Sequence, residues 1–163
     1  MSVRAGSLDA MELAMPPFAT LLRLLDACTA TGVIAAVGGS ALLASDGLIN
    51  VVHDWDVTTD APVDVVARAL DRLQVPFHDR TVGHDPYHTQ QLVTVNAGDH
   101  SIDVIVGFSL LDDHGRVVEL PTRISGWWRG LPMADPAVWQ LAYTLLGRLD
   151  RAELLQQVID ASE

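Results

Sequence analysis

A short apolar run that stops at two adjacent glycines is the feature that most restricts the fold of this chain. Residues 33–37 are continuously apolar, which is typical of a buried strand. Gly38 and Gly39 end this run, and residues 40–44 predict a short helix with Ser40 near its start. The chain therefore contains a buried strand that turns directly into a helix.

Helical spacing and strand-like runs follow one another along the rest of the sequence. Helices are predicted at residues 18–31, 62–73, 135–147 and 150–159, and strands at residues 51–58, 90–96, 101–108 and 117–120. Asp135 and Pro136 form a typical helix start, with Asp135 as the cap and Pro136 at the first position. This order predicts an α/β (α+β) fold, in which a mixed sheet is flanked by helices and further helices lie at the C-terminal end.

The sequence predicts one domain over residues 1–163, because no repeat, low-complexity tract or linker interrupts it. Its motif core spans about residues 33–108, and its C-terminal helical part spans about residues 135–161. The chain is 49 % hydrophobic and 19 % charged, which excludes global disorder.

Localisation is predicted from signals that the sequence lacks. No apolar run approaches the roughly 18 residues that span a bilayer, and the start of the chain has no basic segment followed by an apolar block. Cys28 is the single cysteine, which excludes an internal disulfide, and its apolar helical context predicts a buried thiol. We therefore expect a cytoplasmic protein with no membrane partner.

The charge of the chain restricts its partners. The formal net charge is −11, and all ten basic residues are arginine. A surface this acidic repels the nucleic-acid backbone, so we do not expect long nucleic acid as the main partner. It attracts cationic small molecules and metal ions, although acidity also simply keeps a protein soluble.

Two aspartates follow the glycine turn. Side chains alternate between the faces of a strand, so Asp54 and Asp56 share one face of the predicted strand at residues 51–58. The opposite face, which is predicted to point to the core, contains His53, Trp55 and Val57. Carboxylates at this spacing can converge on one metal ion or on a pair of ions.

A third carboxylate lies on a later predicted strand. Alternate residues from Ile102 onward are apolar, and Asp103 points the opposite way. If the two strands are neighbours, Asp103 joins Asp54 and Asp56, and three carboxylates so close repel one another without a cation. The sequence thus predicts a site for Mg²⁺ or Mn²⁺, which favour oxygen ligands. The alternative is that Asp54, Asp56 and Asp60 are solvent-facing residues of an edge strand.

The glycine turn itself suits an anion. Gly38 and Gly39 allow close approach of the backbone, the following helix start offers N–H groups, and Ser40 adds a hydroxyl donor. The turn therefore predicts phosphate binding, with a simple tight turn as the alternative.

These segments resemble the motifs of a known superfamily. Gly38-Gly39-Ser40, Asp54-Trp55-Asp56 and Ile102-Asp103-Val104 look like those of the nucleotidyltransferase superfamily related to DNA polymerase beta. The closer likeness is to its small bacterial members, which include minimal nucleotidyltransferases and antibiotic-modifying enzymes. The resemblance implies that the Gly-Ser turn holds the triphosphate of a nucleotide such as ATP. It also implies that Asp54 and Asp56 bind both metals, and that Asp103 binds the catalytic metal and helps to activate the acceptor hydroxyl.

The function implied by the resemblance is metal-dependent transfer of a nucleoside monophosphate from a nucleoside triphosphate to an acceptor hydroxyl. The acidic charge favours a small-molecule acceptor, and a cationic one such as an aminoglycoside fits it. Relatives carry a lysine after the sheet, where this chain has only arginines, and Arg123 and Arg129 are the nearest replacements. Two alternatives remain: a weak or inactive domain that binds a nucleotide, a metal or a protein, and a toxin–antitoxin component.

Two further features have a structural and a functional interpretation. His84 and His88 are four residues apart, but Pro86 between them predicts a loop and not a helical metal site. Trp127 and Trp128 are predicted either to pack on and cap the core or to form a stacking wall for a ring-shaped ligand.

Overall fold

The computed structural model describes residues 12–162, which build a seven-stranded mixed sheet with helices packed against it. The helices of these residues are α1 (Ala19–Ala30), α2 (Gly39–Ser45), α3 (Val63–Leu73), α4 (Pro136–Leu145) and α5 (Leu149–Ala161). The strands are β1 (Ala35–Gly38), β2 (Trp55–Thr59), β3 (Phe77–Asp79), β4 (Gln91–Asn96), β5 (Ser101–Val106), β6 (Ser109–Leu111), β7 (Val117–Glu119), β8 (Ile124–Trp128) and β9 (Leu131–Ala134). The predicted α+β fold with a mixed sheet and C-terminal helices is confirmed. The predicted single domain includes residues 1–11 and 163, which lie outside the described residues.

The order of strands determines which functional residues meet. The large sheet runs β3-β4-β5-β2-β1-β9-β8, and β6 pairs with β7 in a separate two-stranded sheet. β2 is antiparallel to β1 and parallel to β5, so it is an inner strand. The interpretation of Asp54 and Asp56 as residues of an edge strand is therefore wrong.

The core lies on the face of the sheet that alternation predicted. Trp55 and Val57 of β2 are buried, as are Ile102, Val104 and Val106 of β5. The Trp55 ring packs edge-on against Phe18, with ring centroids 5.3 Å apart. Trp55 is fully buried and adjoins Asp56, so core packing fixes the strand that carries the carboxylate.

The start of β2 differs from its prediction. The strand begins at Trp55, and Val51 instead forms an isolated bridge with Ala14. His53 is exposed and Val52 is buried, the reverse of the predicted faces. The alternation rule fails here because residues 51–54 do not belong to the ladder with β5.

Four strands are absent from the sequence prediction: β3, β6, β8 and β9. β9 contains Pro132 and β8 contains Gly126, two residue types that normally argue against a strand. β8 also carries an irregularity between Ile124 and Gly126. β3 is exposed along its whole length, so it has no apolar alternation to recognise.

Two smaller predictions can be compared with the fold. Cys28 is buried as predicted, and burial raises the pKa of its thiol to about 11. None of the helices formed by the described residues has the length and hydrophobicity that crossing a bilayer requires.

Helix α4 begins as the sequence predicted, with a side-chain cap. The Asp135 carboxylate accepts a hydrogen bond from the Ala137 N–H at 2.9 Å, and Pro136 follows at the first position. We expect Asp135→Ala to lower the free energy of unfolding by about 1 kcal/mol, because that N–H loses its partner. Urea denaturation measures the change. Asp135→Asn keeps an acceptor and serves as the control, and equal losses in both variants would contradict the cap.

Candidate functional site

Two of the predicted site residues lie side by side in the sheet. Asp56 of β2 and Asp103 of β5 are register partners in a parallel pair, and their side chains point away from the core. Neighbouring strands lie about 4.8 Å apart, so the two side chains leave the sheet next to each other. Both residues are half-buried. The structure thus brings together two carboxylates that are 47 residues apart in sequence.

The charge state of Asp56 reflects this crowding. The pKa of Asp56 is raised to about 7, chiefly by burial and also by the charges of Asp103 and Asp54, while the charge of Arg151 opposes the rise. The third predicted carboxylate, Asp54, is therefore close enough to act on Asp56. The negative charge of the Asp56 carboxylate is only partly compensated within the protein, which makes Asp56 a candidate for binding a cation.

Asp54 occupies a different setting from Asp56. It is exposed and lies in the bend that precedes β2, so the predicted common strand face is wrong for this residue. Its Oδ1 accepts a hydrogen bond from the Ser101 N–H at 2.8 Å, at the start of β5. This bond ties the bend to the strand that carries Asp103, and the carboxylate has a second oxygen for other partners.

Asp103 is held from the other side by β4. The Thr94 hydroxyl donates to Asp103 Oδ1 at 2.8 Å, and Thr94 and Asp103 are antiparallel register partners. Thr94 is buried, so the rotamer of Asp103 is fixed from within the protein. Sequence reasoning missed Thr94, although the predicted strands at residues 90–96 and 101–108 contain this pair.

The glycine turn lies directly against the carboxylates. Gly38 ends β1 opposite Asp56 in the antiparallel register, and Gly39 has a φ of +60°, a conformation that favours glycine. A Cβ atom at Gly39 would overlap the Asp56 carboxylate, and one at Gly38 would overlap the Trp139 indole of α4. Both glycines are therefore required by close approach, one to the carboxylate and one to a packed helix.

Arg151 of α5 is the cation at this turn. Its guanidinium donates to Ser40 Oγ at 3.1 Å and to the Tyr143 hydroxyl at 3.4 Å. Sequence reasoning missed Arg151 because 111 residues separate it from Ser40. Of the two arginines it named instead, Arg129 lies over the Trp128 ring, 5.1 Å from its centroid. In the sequence, the only indication that Arg151 could serve as this cation is its position in a predicted C-terminal helix of a chain without lysine.

The donor set fits a divalent metal, although no site is ready-made. Among residues 12–162, no three His, Cys, Asp or Glu side chains are grouped closely enough to hold an ion. Asp54, Asp56 and Asp103 offer oxygen ligands of the kind that Mg²⁺ and Mn²⁺ favour. Burial is the main cause of the raised pKa of Asp56, and the charges of Asp103 and Asp54 add to it, so a bound cation would relieve part of the cost.

The other features from the sequence lie elsewhere. His84 and His88 are in a loop, as predicted, and His84 Nδ1 lies 3.0 Å from the Asp85 carbonyl oxygen. Trp128 is partly buried against the core, whereas the Trp127 side chain is 71 % exposed. Trp127 lines a groove of about 410 Å³ beside α1, and that groove is lined neither by the three aspartates nor by Ser40 and Arg151.

A comparison with known proteins supports the fold. The chain is similar to the crystal structure of a putative nucleotidyltransferase from Thermotoga maritima, with a TM-score of 0.62 and 20 % identity. The match covers 88 % of this chain and 92 % of that one. No protein-family model matches the chain, and no curated protein matches it significantly. At this identity the likeness shows the nucleotidyltransferase fold and nothing finer.

The crowding at Asp56 predicts a pH-dependent cost. Its pKa in the folded protein is about 7, whereas an unfolded Asp titrates near about 3.9. The protonated form is therefore favoured by folding, and metal-free protein loses stability as the pH rises towards and through about 7. We expect the free energy of unfolding of Asp56→Asn to exceed that of wild type by at least about 1 kcal/mol at about pH 8. The difference should shrink towards about pH 4.

Urea denaturation in the presence of a chelator measures this difference. Asp64→Asn is the matched control, because it removes one negative charge from an exposed side chain of α3. The physical account of Asp56 is wrong if both variants gain equally, or if the gain of Asp56→Asn does not depend on pH.

Proposed function

We propose that this protein is a metal-dependent nucleotidyltransferase of the superfamily related to DNA polymerase beta, and that it transfers a nucleoside monophosphate from a nucleoside triphosphate to a hydroxyl of a small molecule. One observation carries the proposal: Asp56 and Asp103 are parallel register partners, directly beside the Gly38-Gly39-Ser40 turn. The nucleotidyltransferase fold supports it. Carboxylates beside a phosphate-sized turn are what phosphoryl chemistry requires.

In this proposal Asp54, Asp56 and Asp103 hold Mg²⁺ or Mn²⁺. A bound divalent ion polarises phosphoryl oxygens and neutralises the charge that develops on them. Asp103 additionally accepts the proton of the acceptor hydroxyl, because its Oδ1 already receives the Thr94 hydroxyl and its Oδ2 remains for the substrate. The Thr94 bond keeps this carboxylate in one orientation during the reaction.

The triphosphate is proposed to bind at the turn. The backbone of Gly38 and Gly39 permits close approach, and Ser40 and Arg151 supply a hydroxyl and a guanidinium. An arginine can make two parallel hydrogen bonds to a phosphate, so it can replace the lysine that this chain lacks. Tyr143 positions Arg151 through its hydroxyl and its ring.

A small acceptor agrees with the charge of the chain. The net charge of −11 opposes binding of a long polyanion, and the site itself is formed by three carboxylates and one arginine. A nucleoside triphosphate is a much shorter anion, and a divalent ion held by Asp54, Asp56 and Asp103 would offset its charge.

A transfer assay tests the proposal. Protein, Mg²⁺, nucleoside triphosphates labelled at the α-phosphate and a panel of hydroxyl compounds should yield labelled product and pyrophosphate. We expect Asp56→Asn and Asp103→Asn to lower the rate at least about 100-fold, because each removes a carboxylate that would hold the metal, and Asp103→Asn also removes the proton acceptor. Asp64→Asn should leave the rate unchanged. Transfer by wild type to none of the acceptors, or full activity of Asp56→Asn, would count against the proposal.

The role of Arg151 is tested separately. We expect Arg151→Met to weaken binding of a non-hydrolysable triphosphate with Mg²⁺ by about tenfold, and Arg151→Lys to weaken it less, because one cationic contact is lost or reduced. Binding of the free nucleoside should not change. Calorimetry measures both ligands, and thermal melting confirms that each variant is folded. A similar loss for nucleoside and triphosphate would show that Arg151 acts only on packing.

One observation favours a second function, binding of a nucleotide without turnover. Asp54 already accepts the Ser101 N–H, and the described residues contain no ready-made metal cluster. Binding of the nucleotide with Mg²⁺ in calorimetry, together with no pyrophosphate release, would favour this alternative over catalysis.

A further inference from the structure

A cavity of about 210 Å³ opens beside Asp103 and is separate from the glycine turn. Its wall comes from β4, β5, the segment between β3 and β4, and Phe108 after β5. Most of its lining is apolar: Val82, Tyr87, Leu92, Ile105 and Phe108. The volume is below that of pockets for drug-sized ligands, which hold about 300–1,000 Å³. The cavity therefore suits a single ring.

The polar atoms of this cavity are few and mostly occupied. Besides the apolar residues and Asp103, it is lined by Thr81 and Thr89. The Thr81 hydroxyl donates to Asp79 at 2.6 Å and accepts the Leu92 N–H at 2.9 Å. The Thr89 hydroxyl donates to the Ser109 carbonyl and accepts the Ser109 N–H, both at 3.2 Å. Among residues 12–162, Asp103 is thus the one carboxylate of the wall and no cationic side chain lines it, so the mostly apolar lining favours a neutral ligand.

The position of the cavity relative to the turn follows from the strand order. Across the sheet, β1 with its Gly38-Gly39 end comes first, then β2 with Asp56, then β5 with Asp103, and then β4. The cavity lies on the β4 side of Asp103, so the carboxylates separate it from the turn. In phosphoryl transfer the attacking and leaving oxygens lie roughly in line. With the leaving pyrophosphate at the turn, the attacking oxygen therefore approaches the α-phosphorus from the side of the cavity.

From this arrangement we infer that the cavity binds the acceptor, and that the acceptor is a neutral alcohol or phenol with one ring. The inference rests on the proposed function. The acceptor oxygen forms a bond to the α-phosphorus, and the bond from that phosphorus to the bridging oxygen of pyrophosphate breaks. Pyrophosphate takes the electron pair, and the hydroxyl proton passes to Asp103. The net charge of the chain favours a cationic acceptor, whereas the lining of this cavity favours a neutral one.

Proton NMR of a small probe tests the inference without turnover. The probe is p-cresol, a neutral phenol, and tyramine is its cationic analogue. Both are titrated against wild type containing Mn²⁺ and a non-hydrolysable triphosphate. Mn²⁺ should broaden the signals of bound p-cresol strongly, because paramagnetic relaxation falls steeply with distance and Asp103 borders the cavity. We expect p-cresol to bind at least as tightly as tyramine, and Asp56→Asn to abolish the broadening.

Variants locate the probe. Tyr87→Ala removes an aromatic wall and Val82→Asp adds a charge, so each should weaken p-cresol binding about fivefold or more. Tyr87 is 40 % exposed in a loop, which lets it be truncated without opening the core. Trp127→Ala is the matched control, since it removes an exposed aromatic side chain that lines the other groove, beside α1. It should leave p-cresol binding unchanged.

Each contrary result has a distinct meaning. Failure of Mn²⁺ to bind would overturn the proposed function and the inference with it. If Mn²⁺ binds but p-cresol does not, or p-cresol binds without broadening, the inference alone is overturned. Equal losses in Tyr87→Ala and Trp127→Ala, or tighter binding of tyramine than of p-cresol, would overturn it as well.

Discussion

The site depends on the position of β2 between two strands of opposite direction. Its antiparallel pairing with β1 brings the Gly38 end of that strand to Asp56. Its parallel pairing with β5 brings Asp103 to the same place from the other side. Trp55 and Val57 on either side of Asp56 are buried in the core. Their packing holds β2, and with it the Asp56 carboxylate, in place. A shift of one residue in either ladder would turn Asp56 into the core and separate all three groups.

This arrangement keeps like charges together at a cost in stability. Burial and the charges of Asp103 and Asp54 raise the pKa of Asp56, and Arg151 offsets only part of that effect. Bonds from Thr94 and from the Ser101 N–H hold the neighbouring carboxylates and do not relieve the repulsion at Asp56. Sites in which packing enforces such repulsion are commonly functional, because the missing charge is supplied by a ligand. This is the physical reason to interpret the three aspartates as a candidate binding site and not as solvated surface carboxylates.

The sequence predicted the parts of this arrangement that depend on local pattern. The two-residue period placed Asp103 opposite the core, and the run at residues 33–37 with its glycines predicted the strand-to-helix turn. It failed where tertiary contacts decide. Asp54 lies outside β2 because the ladder with β5 begins at Trp55. The strand β9 forms despite Pro132 because it pairs with both β1 and β8. Arg151 could not be assigned, because no local pattern links a C-terminal helix to Ser40.

The net charge of the chain is a poor guide to the chemistry within the site. Next to β1, Arg151 contacts Ser40 and also lowers the pKa of Asp56, so one cation serves the turn and a carboxylate. Next to β4, the cavity is apolar, and its two threonine hydroxyls are already hydrogen-bonded within the protein. In the proposed function the carboxylates therefore separate the half of the site that would bind the triphosphate from the half that would bind a neutral ring. The net charge of −11 affects which molecules are attracted to the protein surface. The lining on each side of Asp103 determines which ligands can bind there.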